Sequence, residues 1–199
     1  MIVVDLDGTL LTCNSFRLFA SYLFHNALKK GKVGTALKFS FWTAARKLNI
    51  IDHRRLKWQL MKLADISMTE NDYRLLAENL VKCLNPSVVQ FLRGKEWILA
   101  TAASYEYVLF LSRLIGCKSF IATKRPASGL FKDYRESKGE RKLEAIGSTF
   151  PDSEIDTAIT DHLDDLPLLS AAHRRILVNP SESTLNNVQI QRLNPTIWN

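Results

Sequence analysis

Apolar positions change their period twice along this 199-residue chain. Ile2-Val3-Val4 is a β-branched run that reads as a strand, with Asp5-Leu6-Asp7-Gly8-Thr9-Leu10 directly after it. From position 14 the spacing turns helical. Asn14 or Ser15 can cap a first helix carrying Phe16, Phe19, Ala20 and Leu23, and Gly31 and Gly34 bracket a turn. Leu37, Phe41, Ala44, Ala45 and Leu48 then supply the apolar face of a second helix, and Leu56, Leu60 and Leu63 that of a third. Thr69 and Asp72 form a capping arrangement that opens a fourth, with Leu75, Leu76, Leu80 and Cys83 following. Residues 16–84 therefore read as a helical bundle, closed by Pro86.

Beyond Pro86 strands and helices alternate, the signature of a parallel sheet covered on both faces. A strand over 97–101 ends in Thr101, and a helix behind Ser104 carries Tyr107, Val108, Leu111, Leu114 and Ile115. A third strand is expected over 120–122 and a short β-excursion over 130–134. Ser137 and Glu140 have capping-box spacing, which would put Lys138 at the very start of a helix. A strand over 155–160 leads to Asp161, Asp164 and Asp165 open the next helix, and 175–178 makes a last strand; the tail from Asn194 is expected to be loosely ordered. The predicted fold class is α/β, a Rossmann-like three-layer core from residues 1–15 and 85–199 with a helical cap bundle, 16–84, inserted.

An apolar content of 46% is ample for a packed core. Three widely spaced cysteines, with no Cys-x-x-Cys, argue against a disulfide framework or zinc site and favour a reducing, cytoplasmic setting. The first strand starts at residue 2, which leaves no room for a signal peptide before it. The most apolar later stretch, 33–45, contains Lys38 and is shorter than the roughly 20 residues of a membrane span, so any membrane contact is expected to be peripheral.

Charge sharpens the picture once it is divided. The net +7 lies in one segment: residues 14–86 hold 13 Lys and Arg against 5 Asp and Glu, whereas the remainder holds 14 against 15. Such a surface attracts anionic partners, whether phosphate esters, acidic lipid headgroups or nucleic acid, although a solvated face with Lys stems over apolar surface explains it equally well. Phe39, Phe41 and Trp42, beside Lys38, Arg46 and Lys47, would either meet an acidic membrane surface or fill the bundle interior. No nucleic-acid recognition motif accompanies the charge, so nucleic acid is the weakest of these partners.

The chemistry-bearing positions converge on one rim. Asp5, Thr101 and Asp161 all stand at carboxyl ends of predicted parallel strands, where open α/β sheets place their sites, and Lys138 can reach that rim. Asp5 and Asp7 are close enough to need a cation between them, and oxygen ligands suit Mg²⁺. Gly8 lets the backbone turn away. Taken singly, these are a strand-end hydroxyl, a surface lysine and helix-capping acids. Together they are the groups that handle a phosphoryl group: a nucleophilic carboxylate, a second acid for proton transfer, and cations for the oxygens.

In that order they resemble the haloacid dehalogenase superfamily in its phosphatase form. Asp5-Leu6-Asp7-Gly8-Thr9-Leu10 is similar to its first motif, Thr101 to its second, Lys138 to its third with Lys142 in reserve, and Thr160-Asp161-His162-Leu163-Asp164-Asp165 to its acidic fourth. The helical insertion resembles the cap of phosphoserine phosphatase-like members. The resemblance implies that Asp5 attacks phosphorus and Asp7 serves as acid and base. It implies Mg²⁺ on Asp5, the Asp7 carbonyl and Asp161. Thr101, backbone N–H groups beside it such as that of Ala102, and Lys138 would hold the phosphoryl oxygens, while Asp165 orients Lys138 or the metal's water shell. Asn14 stands where phosphoserine phosphatase has a substrate-binding Glu, and His162 and Asp164 replace small and amide residues, which disfavours phosphoserine itself. The implied substrate is a small or lipid-linked phosphate ester; a non-catalytic module binding a phosphorylated ligand or acidic surface is the alternative.

Overall fold

Val3 and Val4 are fully buried on opposite faces of one sheet, and the whole architecture follows from covering both faces. The computed structural model describes residues 1–198. Strand β1 (Ile2–Val4) is followed by α1 (Ser15–Lys29), α2 (Val33–Lys47), α3 (His53–Ser67), α4 (Glu70–Val81) and α5 (Pro86–Leu92). Then come β2 (Trp97–Ser104), α6 (Tyr105–Leu114), β3 (Ser119–Thr123), α7 (Glu140–Thr149), β4 (Thr157–Thr160), α8 (Leu166–Ala171), β5 (Arg174–Val178), α9 (Glu182–Ile190) and β6 (Thr196–Trp198). The strands form a parallel sheet in the order β3-β2-β1-β4-β5-β6, with Val3 paired to Ile98 on one side and Ala158 on the other. This is the α/β, Rossmann-like core that the alternating pattern predicts.

Val4, Leu99, Ile159, Ile176 and Val178 face one hydrophobic layer, whereas Val3, Ile98, Ala100, Ala158 and Leu177 face the other. The second layer is closed by Ile146 of α7 and Leu168 and Leu169 of α8. The first layer is shared. Leu23 of α1, Leu60 of α3 and Leu80 of α4 lie in one continuous cluster with Tyr107, Val108 and Leu111 of α6, and Tyr73 stacks on Phe110 at 6.2 Å. The inserted helices thus lean on the sheet layer. The Thr69 cap forms as expected: Asp72 N–H donates to its hydroxyl, and the Asp72 carboxylate accepts from the Thr69 N–H.

Four expectations change. The 130–134 segment is no β-excursion but a 3₁₀ turn over Phe131–Asp133, because Phe131 and Tyr134 pack on Trp58 and Met61 of α3. Ser137 does not cap α7. Its N–H donates to the Thr123 hydroxyl at 3.0 Å, which holds it against β3, so the chain turns at Gly139 (φ +61°) and the helix begins at Glu140. The tail adds β6 to the sheet edge, with Leu177 paired to Ile197 and Trp198 packed on Phe91. Lastly, the predicted apolar face of α2 points outward: Leu37, Phe41 and Leu48 are 66%, 62% and 70% exposed, while Phe39 and Trp42 on another face are half-buried. Among the described residues no helix is long and apolar enough to cross a membrane.

Candidate active site

A cavity of about 450 Å³ opens over the carboxyl ends of β1, β2 and β4. Every site residue the sequence singled out lines it, Asp5, Asp7, Gly8, Asn14, Thr101, Ala102, Lys138, Asp161, His162, Asp164 and Asp165 with the reserve Lys142, joined by Thr12, Cys13, His53 and Lys57.

Asp5 continues β1 by one residue, its N–H donating to the Ile159 carbonyl at 2.9 Å. Its carboxylate accepts a 2.7 Å hydrogen bond from Lys142 Nζ. The same ammonium lies 2.6 Å and 2.8 Å from the two oxygens of Asp165, which also accepts from the Thr160 hydroxyl at 2.8 Å. Burial pushes the Asp5 carboxyl up to about 7, with Lys142 opposing and Asp165 and Asp161 adding to the rise. Lys142 is also pushed up from its ordinary range: burial disfavours its charge, but Asp5 and Asp165 outweigh burial and keep it protonated.

The structure thus gives the buried position to Lys142 and not to Lys138. Lys142 shares the inner face of α7 with Ile146 one turn on, and its side chain is 3% exposed. Lys138 precedes the helix and pairs with Asp164 at 2.6 Å on the rim, about half exposed. Asp165 accordingly orients Lys142, and the Asp164 charge that would oppose an anion is met by Lys138.

Asp7 is held by the start of α1. Ser15 N–H donates to its Oδ1 at 2.5 Å and the Ser15 hydroxyl to its Oδ2 at 3.0 Å, while the Tyr107 hydroxyl lies 3.0 Å from Ser15 Oγ. Burial raises the Asp7 carboxyl against these bonds. Sequence reasoning saw Ser15 only as an alternative helix cap and Tyr107 only as apolar; the cap is Asn14, whose amide oxygen accepts from the Arg17 N–H at 2.9 Å. Thr101 is buried and accepts from the Ala103 N–H at 3.0 Å. His162, exposed, accepts from the Asp164 N–H.

Gly8 sits at φ +77°, and a Cβ there would lie 2.1 Å from Asp161 Oδ2, so only glycine leaves room for that carboxylate. Asp161 is further fixed by the Thr9 hydroxyl at 3.4 Å, and burial raises its carboxyl. From the inserted helices, His53 and Lys57 face the cavity one turn apart on α3. Burial, then Lys57, keeps His53 below the usual imidazole range, while Lys57 pairs with Glu136 at 2.8 Å. Nothing in the sequence beyond a basic segment marked these two.

The arrangement juxtaposes a cation-clasped carboxylate, a second oriented carboxylate two residues on, and a third against a glycine, in a cleft that opens to solvent. Such a set handles an anion whose charge must be neutralised while a bond to oxygen breaks.

Comparison with known proteins agrees. Residues 2–170 match the family profile of haloacid dehalogenase-like hydrolases. No curated protein matches the sequence significantly. Among solved structures, a protein of unknown function from Bordetella pertussis Tohama I aligns with TM-score 0.73 and 18% identity, over 100% of this chain and 97% of that one. A phosphoserine phosphohydrolase-like protein from Francisella tularensis aligns with TM-score 0.53 and 17% identity, over 98% and 93%. A phosphoserine phosphatase in apo form aligns with TM-score 0.59 and 13% identity, over 99% and 92%. These likenesses establish a shared fold with phosphatases of that branch. The chain belongs to the haloacid dehalogenase-like hydrolase family.

Proposed function

We propose that this hydrolase is a Mg²⁺-dependent phosphomonoesterase that works through an aspartyl-phosphate on Asp5. The observation that carries the reading is the buried Lys142, clasped by Asp165 and donating to Asp5 at the open end of the sheet. An ammonium there neutralises phosphoryl oxygens as charge builds on them, and it keeps Asp5 from wandering. An Asp5 oxygen attacks phosphorus while the ester P–O bond breaks, and Asp7, in its protonated form, passes its proton to the departing alkoxide. The Asp7 carboxylate then takes a proton from water, the water oxygen attacks phosphorus, and the P–O bond to Asp5 breaks to release phosphate. Thr101 and the Ala102 N–H would hold the remaining oxygens.

The donor set suits Mg²⁺. Among the described residues no three Asp, Glu, His or Cys side chains form a metal cage by themselves. Mg²⁺ needs no such cage: it keeps several waters and takes few protein oxygens. Asp5, Asp161 and the Asp7 carbonyl would supply those oxygens, and the missing Cβ of Gly8 is the cradle that admits Asp161. The ion would polarise a phosphoryl oxygen.

Residues 16–84 act in this reading as the cap, whose cavity-facing His53 and Lys57 meet the leaving group. Asn14 is spent on the helix cap and offers no carboxylate to an ammonium, so the substrate class is a phosphate ester without an obligatory amine. Phosphate release from a panel of phosphomonoesters, including phosphoserine, tests the proposal. Mg²⁺-dependent release, abolished by chelation and by Asp5→Asn, is expected. Release that survives Asp5→Asn refutes the covalent route, and no release by the folded, Mg²⁺-supplied protein favours a phospholigand-binding module.

A further inference from the structure

Helix α2 presents its apolar stripe to solvent. At 100° per residue, Val33, Leu37, Phe41, Ala44 and Leu48 fall within an arc of about 80°. All five are exposed, Val33 at 62%. Leu28, in the last turn of α1, and Ile50, after α2, continue the apolar surface at 51% and 72% exposure. Soluble surfaces carry such residues singly, not in a row along one helix face. What this helix buries is small, namely Thr35, Ala36 and Ala45, with Phe39 and Trp42 half-buried against the rest of the bundle. It is the outer layer of the insertion.

Its electrostatics identify an occupant. Residues 14–51 contain seven Lys and Arg and no Asp or Glu. Lys38 and Lys47, both exposed, flank the stripe on opposite sides of the helix, and Lys29 is exposed at the end of α1, while Lys30 beside it is paired with Asp72. An apolar face bordered on both sides by long cationic side chains fits an interface whose interior is apolar and whose rim is anionic. A second copy of the chain does not meet that description. A two-fold contact through this face would set each basic border against itself, with no acid from this segment to relieve it.

We infer that α2 docks the protein onto an anionic lipid bilayer, with Val33, Leu37, Phe41 and Leu48 entering the acyl boundary and the flanking lysines meeting phosphate headgroups. The contact is peripheral. It is independent of the phosphatase reading, because it uses no residue of the cavity over the sheet.

Flotation of the full chain with vesicles tests this. With phosphatidylcholine vesicles containing about one-third phosphatidylglycerol at low salt, the bound fraction should exceed that with pure phosphatidylcholine by at least about tenfold, since each basic residue near an anionic surface adds attraction. Raising salt to about 0.5 M should remove most of the difference, because screening shortens the reach of these charges. Leu37→Glu with Phe41→Glu should cut binding by more than about tenfold while turnover of a soluble phosphate ester is unchanged. Lys38→Gln with Lys47→Gln, which leaves the apolar stripe intact, provides a second route should the first pair misfold, and it should weaken only the anionic component. Absence of flotation with anionic vesicles at low salt, or equal flotation with neutral ones, overturns the inference. So does a dimer in solution that Phe41→Glu dissolves, which would make a second copy the occupant.

Discussion

Replacing Lys142 by Met tests the centre of the site, and its outcome can be worked from the geometry. The ammonium lies 2.7 Å from Asp5 and 2.6 Å from Asp165, with all three side chains at most 12% exposed. Methionine fills nearly the same volume but leaves two buried carboxylates facing each other. Breaking a buried charge network from one side costs about 3–5 kcal/mol. Losing a cation aimed at developing charge costs a further factor of about 10²–10³ in turnover. Urea unfolding and Mg²⁺-supported phosphate release measure the two separately. Lys138→Met is the control: its pair with Asp164 is exposed, so stability should move by less than about 1 kcal/mol, with turnover within a few-fold. Adding Asp165→Asn to Lys142→Met should restore more than about 1 kcal/mol by removing one stranded charge, without restoring activity. A Lys142→Met protein as stable as the parent, or one still active while Lys138→Met is inactive, refutes the reasoning.

Gly8→Ala forces either the backbone out of φ +77° or Asp161 out of its place, so stability should fall by about 1–3 kcal/mol and the Mg²⁺ concentration for half-maximal activity should rise at least tenfold, read by thermal melts and metal titration. Burial alone would raise the Asp72 carboxyl, but Lys30 Nζ at 2.6 Å and the Thr69 N–H outweigh it and hold it below its ordinary 3.8. A depressed value means stability that is present above about pH 4 and lost as pH falls through the folded-state value. Asp72→Asn should therefore destabilise the protein at pH 7, and the gap from the parent should narrow as the pH falls below about 4 in denaturant titrations. Tyr107→Phe removes the hydroxyl 3.0 Å from Ser15, whose own hydroxyl donates to Asp7; kcat should drop about 3- to 10-fold with KM unchanged in steady-state assays.

The sheet was legible because β-branched and apolar runs ending in Asp5, Thr101 and Asp161 state both the strands and the edge they feed. The lysine was not, because Lys138 and Lys142 both sit near a capping-like Ser-x-x-Glu, and the deciding fact is where α7 begins. Ser137 is tied to Thr123, Gly139 turns the chain, and Lys142 then falls on the same face as Ile146. That helical spacing was in the sequence, but it counts only once the start is known. Periodicity also located α2 correctly and misassigned its apolar face, since a period shows that a face is apolar and not what covers it. Ser15 and Tyr107 come together across 92 positions, a meeting no local pattern encodes. The tail became a strand because the edge of β5 offers unpaired backbone groups, a tertiary opportunity invisible in residues 194–198 alone.

The helical insertion joins the sheet by two chain crossings that are stitched together: Thr12 N–H donates to the Cys83 carbonyl and Asn85 N–H to the Leu10 carbonyl, at 2.8 Å and 2.9 Å. Two strands so linked cannot swing separately. Ser15, which aims Asp7, is the first residue of α1, three positions past Thr12 of one of them. A displacement of the insertion about this seam would therefore also displace the Ser15 groups that hold Asp7. The junction that ties the insertion to the sheet is thus also the one from which the Asp7 carboxylate is aimed.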